Sequence, residues 1–266
     1  MKKLLTEQLK EIEAKEEDFL QTKDNSYFKT KVNPILDKVR NKIPANLKET
    51  LDKAFFKAFE LIYDKGIDII EKTYNKDRLR VDHDINNLAV NRRLSKKHLR
   101  DLDRPSLNSS RFNATFSAVE GGLLGFLGIG LPDIPVFLAL IVKSMNEIAL
   151  SYGFSYEKEE EKAYICVLIQ AALLQGKEQE ELNFRADELA ELIDTGTLPS
   201  VDVKKEMKAA SSCFSETLLT AKFIQTTPLI GAVGGIVNHS YIKRITAYSR
   251  IKYKKRYLLK KIREQQ

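Results

Sequence analysis

The chain contains no tryptophan, and only two cysteines, seven prolines and twelve glycines occur among its 266 residues. With 43% hydrophobic and 30% charged residues, this composition excludes a collagen-like or disordered chain and favours a globular protein. Alternating β-branched stretches are scarce, which argues against a β-sheet protein. A chain of this length forms one large domain, or one domain with an extension.

The motifs of several enzyme and metal-site classes are also missing. The three histidines have no HExxH or CxxC companion, no GxSxG sequence marks a nucleophilic serine, and the glycine run ending at Gly130 lacks the lysine of a phosphate-binding loop. Asp82, His83 and Asp84 are consecutive, so on a helix they point about 100° apart and are interpreted as polar surface. We therefore expect no metal and no cofactor, and the sequence discloses no reaction.

The two cysteines and the first residues of the chain predict a cytoplasmic protein. Cys166 and Cys213 lie in apolar, helically periodic stretches, which favours buried free thiols over a disulfide. Residues 1–5 run directly into glutamate and lysine, without the apolar stretch of a signal peptide. Free thiols are typical of a reducing compartment.

Helical periodicity extends through most of the chain. Because no strand-rich stretch interrupts it, we predict an all-α, multi-helix globular domain. Residues 1–40 are predicted to form a charged helical extension, and residues 41–266 a helical domain whose residues 241–266 are a basic amphipathic tail. The individual helices predicted within the domain include 134–152, a short acidic helix at 186–193, 201–223, and a long last helix from residue 229.

Residues 112–153 are predicted to form a central glycine-rich helical hairpin. Its first helix ends at Gly130, Asp133 suits the N-cap of the second helix, and Gly153 suits the position just after that helix ends. Two prolines and Asp133 cut its apolar run into pieces of about a dozen and about nine residues, shorter than the roughly 20 that a membrane span needs. A buried core, shallow membrane insertion and true spanning all stay open.

Glycine spacing connects this hairpin with the start of the last helix. Gly121 and Gly125 are four residues apart, as are Gly231 and Gly235, so each pair lies on one helix face and allows close backbone approach. We expect the two faces to pack on each other around an apolar groove. The candidate ligand- or lipid-binding residues around it are Glu120, Gly121, Gly125, Asp133, Gly231, Gly235, Asn238 and His239.

The tail from residue 241 carries ten lysines and arginines and one acid, Glu264, so the formal charge of +7 belongs to this end. A basic helix with interleaved tyrosines is typical of binding to an anionic membrane surface. The candidate residues for this contact are Lys243, Arg244, Arg250, Lys254, Lys255, Arg256, Lys260 and Lys261. Residues 75–111 are also basic and are interpreted as a solvated helix face and linker, with a phosphate-facing strip as the alternative.

Three sequence blocks resemble the EcsC family. The upstream block is Ile43-Pro44 with Leu51-Asp52-Lys53-Ala54-Phe55. The central block is Glu120-Gly121-Gly122-Leu123-Leu124-Gly125, then Leu131-Pro132-Asp133-Ile134-Pro135, then Ile148-Ala149-Leu150-Ser151-Tyr152-Gly153. The second glycine-rich block is Thr227 to Asn238. The resemblance covers roughly residues 40 to 260. The family is named for a bacterial operon that also encodes an ABC transporter, so the resemblance implies a membrane-related context rather than a reaction.

We therefore expect a peripheral membrane or lipid-associated protein at the cytoplasmic face of the membrane, acting with membrane transport machinery. Nucleic acid would suit the same cations, but the glycine-rich hairpin has no role in that interpretation. One alternative is an enzyme acting on a lipid or apolar substrate, with Glu120, Asp133 and His239 as acid–base groups. Another is a protein-interaction module for a membrane complex. The sequence gives no oligomeric state.

Overall fold

The computed structural model describes residues 2–21, 44–103, 133–197, 200–225 and 236–265, and of residues 133, 221–225 and 236–240 it describes the backbone alone. These ranges contain helices and no strand, so the all-α prediction is confirmed. A π-helical turn at Ile62–Gly66 follows the second helix. The α-helices are α1 (Lys2–Gln21), α2 (Ala45–Leu61), α3 (Ile67–Glu71), α4 (Lys76–Arg92), α5 (Lys96–Asp101), α6 (Asp133–Ser151), α7 (Glu159–Leu173), α8 (Lys177–Thr195), α9 (Val203–Gln225) and α10 (Ile236–Arg263).

The long helix α10 lies in the middle of the fold, where it packs against α1, α6, α7 and α8. Neighbours on several sides explain why Ile245, Tyr248, Tyr253 and Leu258 are all buried. A helix in this position must also bury much of its polar surface, because little of it meets solvent.

Helix α6 is the most apolar helix of the described chain and packs against α2, α4 and α10. It was predicted at 134–152 and occurs at Asp133–Ser151, so its position is confirmed to within one residue. Ile134–Ser151 is the one described stretch long and apolar enough to cross a membrane, and 83% of it is buried inside the protein. That burial is typical of a core helix.

Gly153 ends α6 in the manner that the sequence predicts. Its φ is +80°, the Gly153 amide donates to Leu150 O at 3.0 Å, and the Phe154 amide donates to Ala149 O at 2.9 Å. This pair of bonds is the Schellman arrangement, which satisfies carbonyls that a helix end leaves without partners.

The remaining helices complete the core around α7. Helix α7 packs against α8 and α9, and α9 packs against α2, where the rings of Phe55 and Phe214 stack with centroids 5.0 Å apart. The acidic helix predicted at 186–193 is longer and occurs as α8. Its first turns carry few apolar residues, which explains why the helix predicted from apolar periodicity is shorter than the observed one.

Helix α1 lies within the stretch predicted as a charged helical extension, and it packs against the rest of the fold. Leu5 and Ile12 are buried, Phe19 lies 5.0 Å from Tyr248 between ring centroids, and α1 packs along α10. The loose apolar spacing forms one stripe that α10 covers. The boundary predicted at residue 40 lies outside the described residues, as does the first arm of the predicted hairpin.

Candidate functional site

The predicted ligand site of the glycine-rich hairpin falls on residues that the structure does not describe in full. Glu120, Gly121, Gly125, Gly231 and Gly235 lie outside the described residues. Helix α6 begins at Asp133, and Asn238 and His239 lie in the first turns of α10, but only their backbone is described. Their grouping, the groove and the acid–base roles of the enzyme alternative therefore stay predictions.

The predicted cationic surface of the tail is different, because the structure describes all eight of its residues. Only Lys243 and Lys260 are exposed, whereas Arg244, Arg250 and Lys255 are partly buried and Lys254, Arg256 and Lys261 are buried. Six of the eight are therefore not exposed, and their contact with an anionic surface stays a prediction. The physical reason is that α10 is central and that acids on other helices approach its cations.

The first of these acid clusters holds two lysines of α10. Lys252 Nζ donates to Glu16 on α1 at 2.6 Å and also contacts Asp187 on α8. Lys255 Nζ donates to the same two carboxylates, at 2.6 Å to Glu16 and 2.7 Å to Asp187. Burial lowers the pKa of Lys255, but the hydrogen bonds that it donates to both carboxylates outweigh burial and raise that pKa overall. The cluster therefore joins α1, α8 and α10 through charges.

The second cluster surrounds Arg256, whose side chain is 3% exposed. Its guanidinium donates to both oxygens of Glu161 at 3.0 and 2.6 Å and to Asp194 at 2.9 Å. The guanidinium carbon also lies 4.2 Å from the centroid of the Phe154 ring. Burial lowers the pKa of Arg256, but the charge of Glu161 outweighs it and raises that pKa overall, so the arginine stays charged.

Further cations of α10 are held in other ways. Lys254 donates to Asp103 at 2.6 Å, and Lys261 donates to Asn91 at 3.0 Å. Arg244 donates to Ala172 O, one of the last carbonyls of α7, at 2.6 Å, and burial lowers its pKa to about 10. These contacts stabilise the fold, and they leave few cations of the tail free to bind a ligand.

The three consecutive residues Asp82, His83 and Asp84 diverge in the structure. The His83 ring turns inward and its Nδ1 lies 3.1 Å from Ser151 O, Asp82 faces Arg78 at 3.8 Å, and Asp84 is exposed. Within the described ranges no group of three histidine, cysteine or acidic residues could hold a metal ion.

Exposed positive charge is concentrated instead at the end of α4 and on α5. We name the side chains of Arg92, Arg93, Lys96, Lys97 and Arg100 the α4–α5 basic surface; all five are exposed. Ser95 accepts a hydrogen bond from the His98 amide at 3.2 Å and thereby begins α5. The short connection before α5 brings five cations together within nine residues, with no acid among them.

Lys96 is the exception within this surface, because it is also tied to α1. Its Nζ donates to Glu7 at 2.7 Å and lies 3.5 Å from Glu11. Arg92, Arg93 and Lys97 have no carboxylate partner within the described part of the chain. This surface lies within the basic segment 75–111, for which a phosphate-facing strip is the alternative interpretation. The candidate residues for an anionic surface are predicted in the tail because its charge is larger.

The model of the EcsC protein family matches residues 6–258, which is nearly the whole chain and includes most of α1. The uncharacterized protein YdbA of Bacillus subtilis (strain 168) is 26% identical over 166 residues, which cover 59% of this chain and 58% of that relative. No solved structure matches the chain. The chain belongs to the EcsC protein family.

Proposed function

We propose that this protein is a peripheral, non-enzymatic membrane-associated protein whose α4–α5 basic surface binds anionic lipid headgroups at the cytoplasmic face of the membrane. The observation that carries the proposal is the exposure of this surface. Five cations stand in solvent within nine residues, whereas most cations of α10 are buried or paired. Net positive charge on one face is an electrostatic footprint for an anionic partner.

The expected strength of such a contact follows from the number of unpaired cations. Each lysine or arginine near an anionic bilayer contributes about 1 kcal/mol, and the attraction falls off within a Debye length. Arg92, Arg93, Lys97 and Arg100 would then give weak, reversible binding that high salt removes. Reversible binding suits a peripheral protein rather than an anchored one.

The placement of α6 supports a peripheral rather than a spanning arrangement. Its apolar stretch is enclosed by α2, α4 and α10, and crossing a bilayer would require those contacts to be lost. A position at the membrane surface keeps this core intact. It would also bring the protein within reach of a membrane transporter complex, which is the protein partner that we propose.

The test is sedimentation of the full chain with vesicles of phosphatidylcholine, with and without phosphatidylserine. The variant Arg92→Ser/Arg93→Ser/Lys97→Ser/Arg100→Ser removes four cations from α4 and α5. A control variant, Lys243→Ser/Lys260→Ser, removes the two exposed candidates of α10. We expect the wild type and the control to bind anionic vesicles and release them in salt, and the quadruple variant to bind weakly.

Three outcomes would contradict the proposal. They are no binding of the wild type to anionic vesicles, equal binding of the quadruple variant, and binding that neutral vesicles support equally well. Salt-sensitive binding to duplex DNA or RNA, with no binding to vesicles, would assign the basic surface to nucleic acid instead.

A further inference from the structure

Helix α4 carries a row of apolar side chains on its outer face. Val81, Ile85 and Leu88 are 54%, 61% and 51% exposed. They are spaced by four and three residues, so they form one stripe along the helix, which we name the α4 stripe. Only two other large hydrophobic residues of the described chain, Leu47 and Phe184, are comparably exposed, and neither of them belongs to such a stripe.

The opposite face of α4 supplies the contacts with the core, so the α4 stripe is not a displaced core face. His83 lies against the end of α6 and its ring is 6.1 Å from the ring of Tyr257, while Asn87 accepts a hydrogen bond from the Tyr257 hydroxyl at 2.9 Å. Val90 on this side is buried. One face of α4 therefore contacts the core, and the α4 stripe lies on the other face, where it is exposed.

The α4 stripe has arginines at its two ends and acidic residues beside it. Arg78 and Arg92 lie on the same face at its two ends, three and four residues beyond Val81 and Leu88, and both are exposed. Asp84 flanks one side of the stripe, and Asp82 pairs with Arg78 at 3.8 Å. Asp77 is also exposed and lies four residues before Val81, so of the two ends it is the Arg92 end that carries net positive charge.

The α4–α5 basic surface adjoins this stripe. Asn86 on α4 donates to Asp101 O at the end of α5, at 3.4 Å, which places α5 alongside the middle of α4. Arg92 belongs to both features, because it lies on the face of the α4 stripe and is one of the five cations of the α4–α5 basic surface. An anionic surface that Arg92 contacts therefore also meets the end of the stripe.

We infer that the α4 stripe inserts into the boundary between headgroups and acyl chains of an anionic bilayer, while Arg92 contacts the phosphates beside it. This inference rests on the proposed function and adds an insertion element to it. An exposed apolar stripe next to basic residues is typical of an interfacial helix, which lies in the membrane plane. The long side chain of Arg92 reaches the headgroups while its aliphatic part stays against lipid.

Two sets of variants test the insertion with the full chain and the same vesicles. Val81→Ser/Ile85→Ser/Leu88→Ser removes the apolar stripe at constant charge, and Leu47→Ser/Phe184→Ser is the control that removes exposed apolar side chains elsewhere. Because the chain has no tryptophan, Ile85→Trp and Phe184→Trp each give a protein with a single tryptophan, whose emission can be excited selectively over that of the tyrosines.

We expect the triple serine variant to bind anionic vesicles about tenfold more weakly than the wild type, with the control unchanged. The fluorescence of Ile85→Trp should shift to the blue on vesicles and be quenched by lipids brominated near the headgroup end of the acyl chain. The fluorescence of Phe184→Trp should not respond.

Several results would overturn the insertion. If the triple serine variant binds as the wild type does while the quadruple cation variant does not, the α4 stripe does not insert and the proposed function stands. If no form binds, the proposed function fails. A triple serine variant with clearly lower thermal stability would show that the folded chain itself covers the stripe. A change from dimer to monomer would show that a second copy covers it.

Discussion

The ammonium group of Lys252 on α10 lies 2.6 Å from Glu16 Oε1 on α1, and the two side chains are only 1% and 6% exposed. Burying two charges costs several kcal/mol, which good geometry and further hydrogen bonds must offset. Lys252 also donates to Asn183 O at 3.2 Å, and Glu16 also accepts from Lys255. The contact joins residues 236 positions apart, so it fixes the first helix on the last one described.

Replacing Glu16 alone should therefore destabilise the protein strongly. Glu16→Gln leaves the ammonium of Lys252 in a buried site with less compensating charge, and breaking one partner of a buried pair costs about 3–5 kcal/mol. The exposed Glu13 on the same helix provides the control, Glu13→Gln, which should change stability by less than about 0.5 kcal/mol. Urea unfolding followed by circular dichroism measures both. Equal midpoints for the two variants would contradict the argument.

The sequence predicted those parts of the fold that local chemistry determines. Helix α6 and its end at Gly153 follow from apolar spacing and from a residue that tolerates positive φ. The all-α class follows from the same helical periodicity. In each case the residues that determine the element lie within it or next to it in the sequence.

The environment of the tail could not be predicted in this way, because it depends on distant residues. Ten cations near the end of the chain are typical of a solvated basic helix, but Glu16, Glu161 and Asp187 approach them from other helices.

The α4 stripe shows the opposite case, in which apolar residues at helical spacing are exposed. Apolar residues at helical spacing normally predict a buried face, and only the structure shows that Val81 and Ile85 point away from the core.

Gly153 should be far less replaceable than Gly196, although both have positive φ, +80° and +69°. A Cβ atom at Gly153 would lie 2.3 Å from Nε2 of His83, whereas one at Gly196 would meet nothing within 4 Å. Gly196→Ala should cost about 1 kcal/mol for the left-handed backbone. Gly153→Ala should cost at least about 1 kcal/mol more, because of the overlap.

The double variant Gly153→Ala/His83→Ala separates these two causes. If the overlap with the ring is responsible, the double variant should be destabilised by less than the sum of the two single variants in thermal unfolding. Strictly additive losses would assign the cost of Gly153→Ala to the backbone alone.

His83 should make the protein less stable in mild acid. Burial lowers the pKa of His83, and Lys260 and Lys261 lower it further, while the bond to Ser151 O and the charge of Asp84 oppose the shift. The unfolded state then takes up a proton at about pH 6.5, whereas the folded state resists it until a lower pH. Stability is therefore lost as pH falls from about 6.5 towards the folded pKa.

The measurement is the difference in free energy of unfolding between pH 7.5 and 5.5, for the wild type and for His83→Gln. Other groups titrate in both proteins, so the contribution of His83 is the difference between the two. The wild type should lose more stability than the variant over this interval. A larger loss in His83→Gln would reverse the assigned sign.

Asn146 should be replaceable by a hydrophobic residue with a gain in stability. Its side chain is 1% exposed on the apolar helix α6, and its amide makes no hydrogen bond of good geometry within the described residues, although the Tyr74 hydroxyl lies close to it. A buried polar group without partners costs about 1–3 kcal/mol, which Asn146→Leu should recover in part. Asn91 on α4 is exposed, so its amide carries no cost of burial. Asn91→Leu should therefore not raise the midpoint of thermal unfolding. If Asn146→Leu instead lowers that midpoint, the amide is bonded in the folded protein to water or to another group, and its burial is satisfied rather than costly.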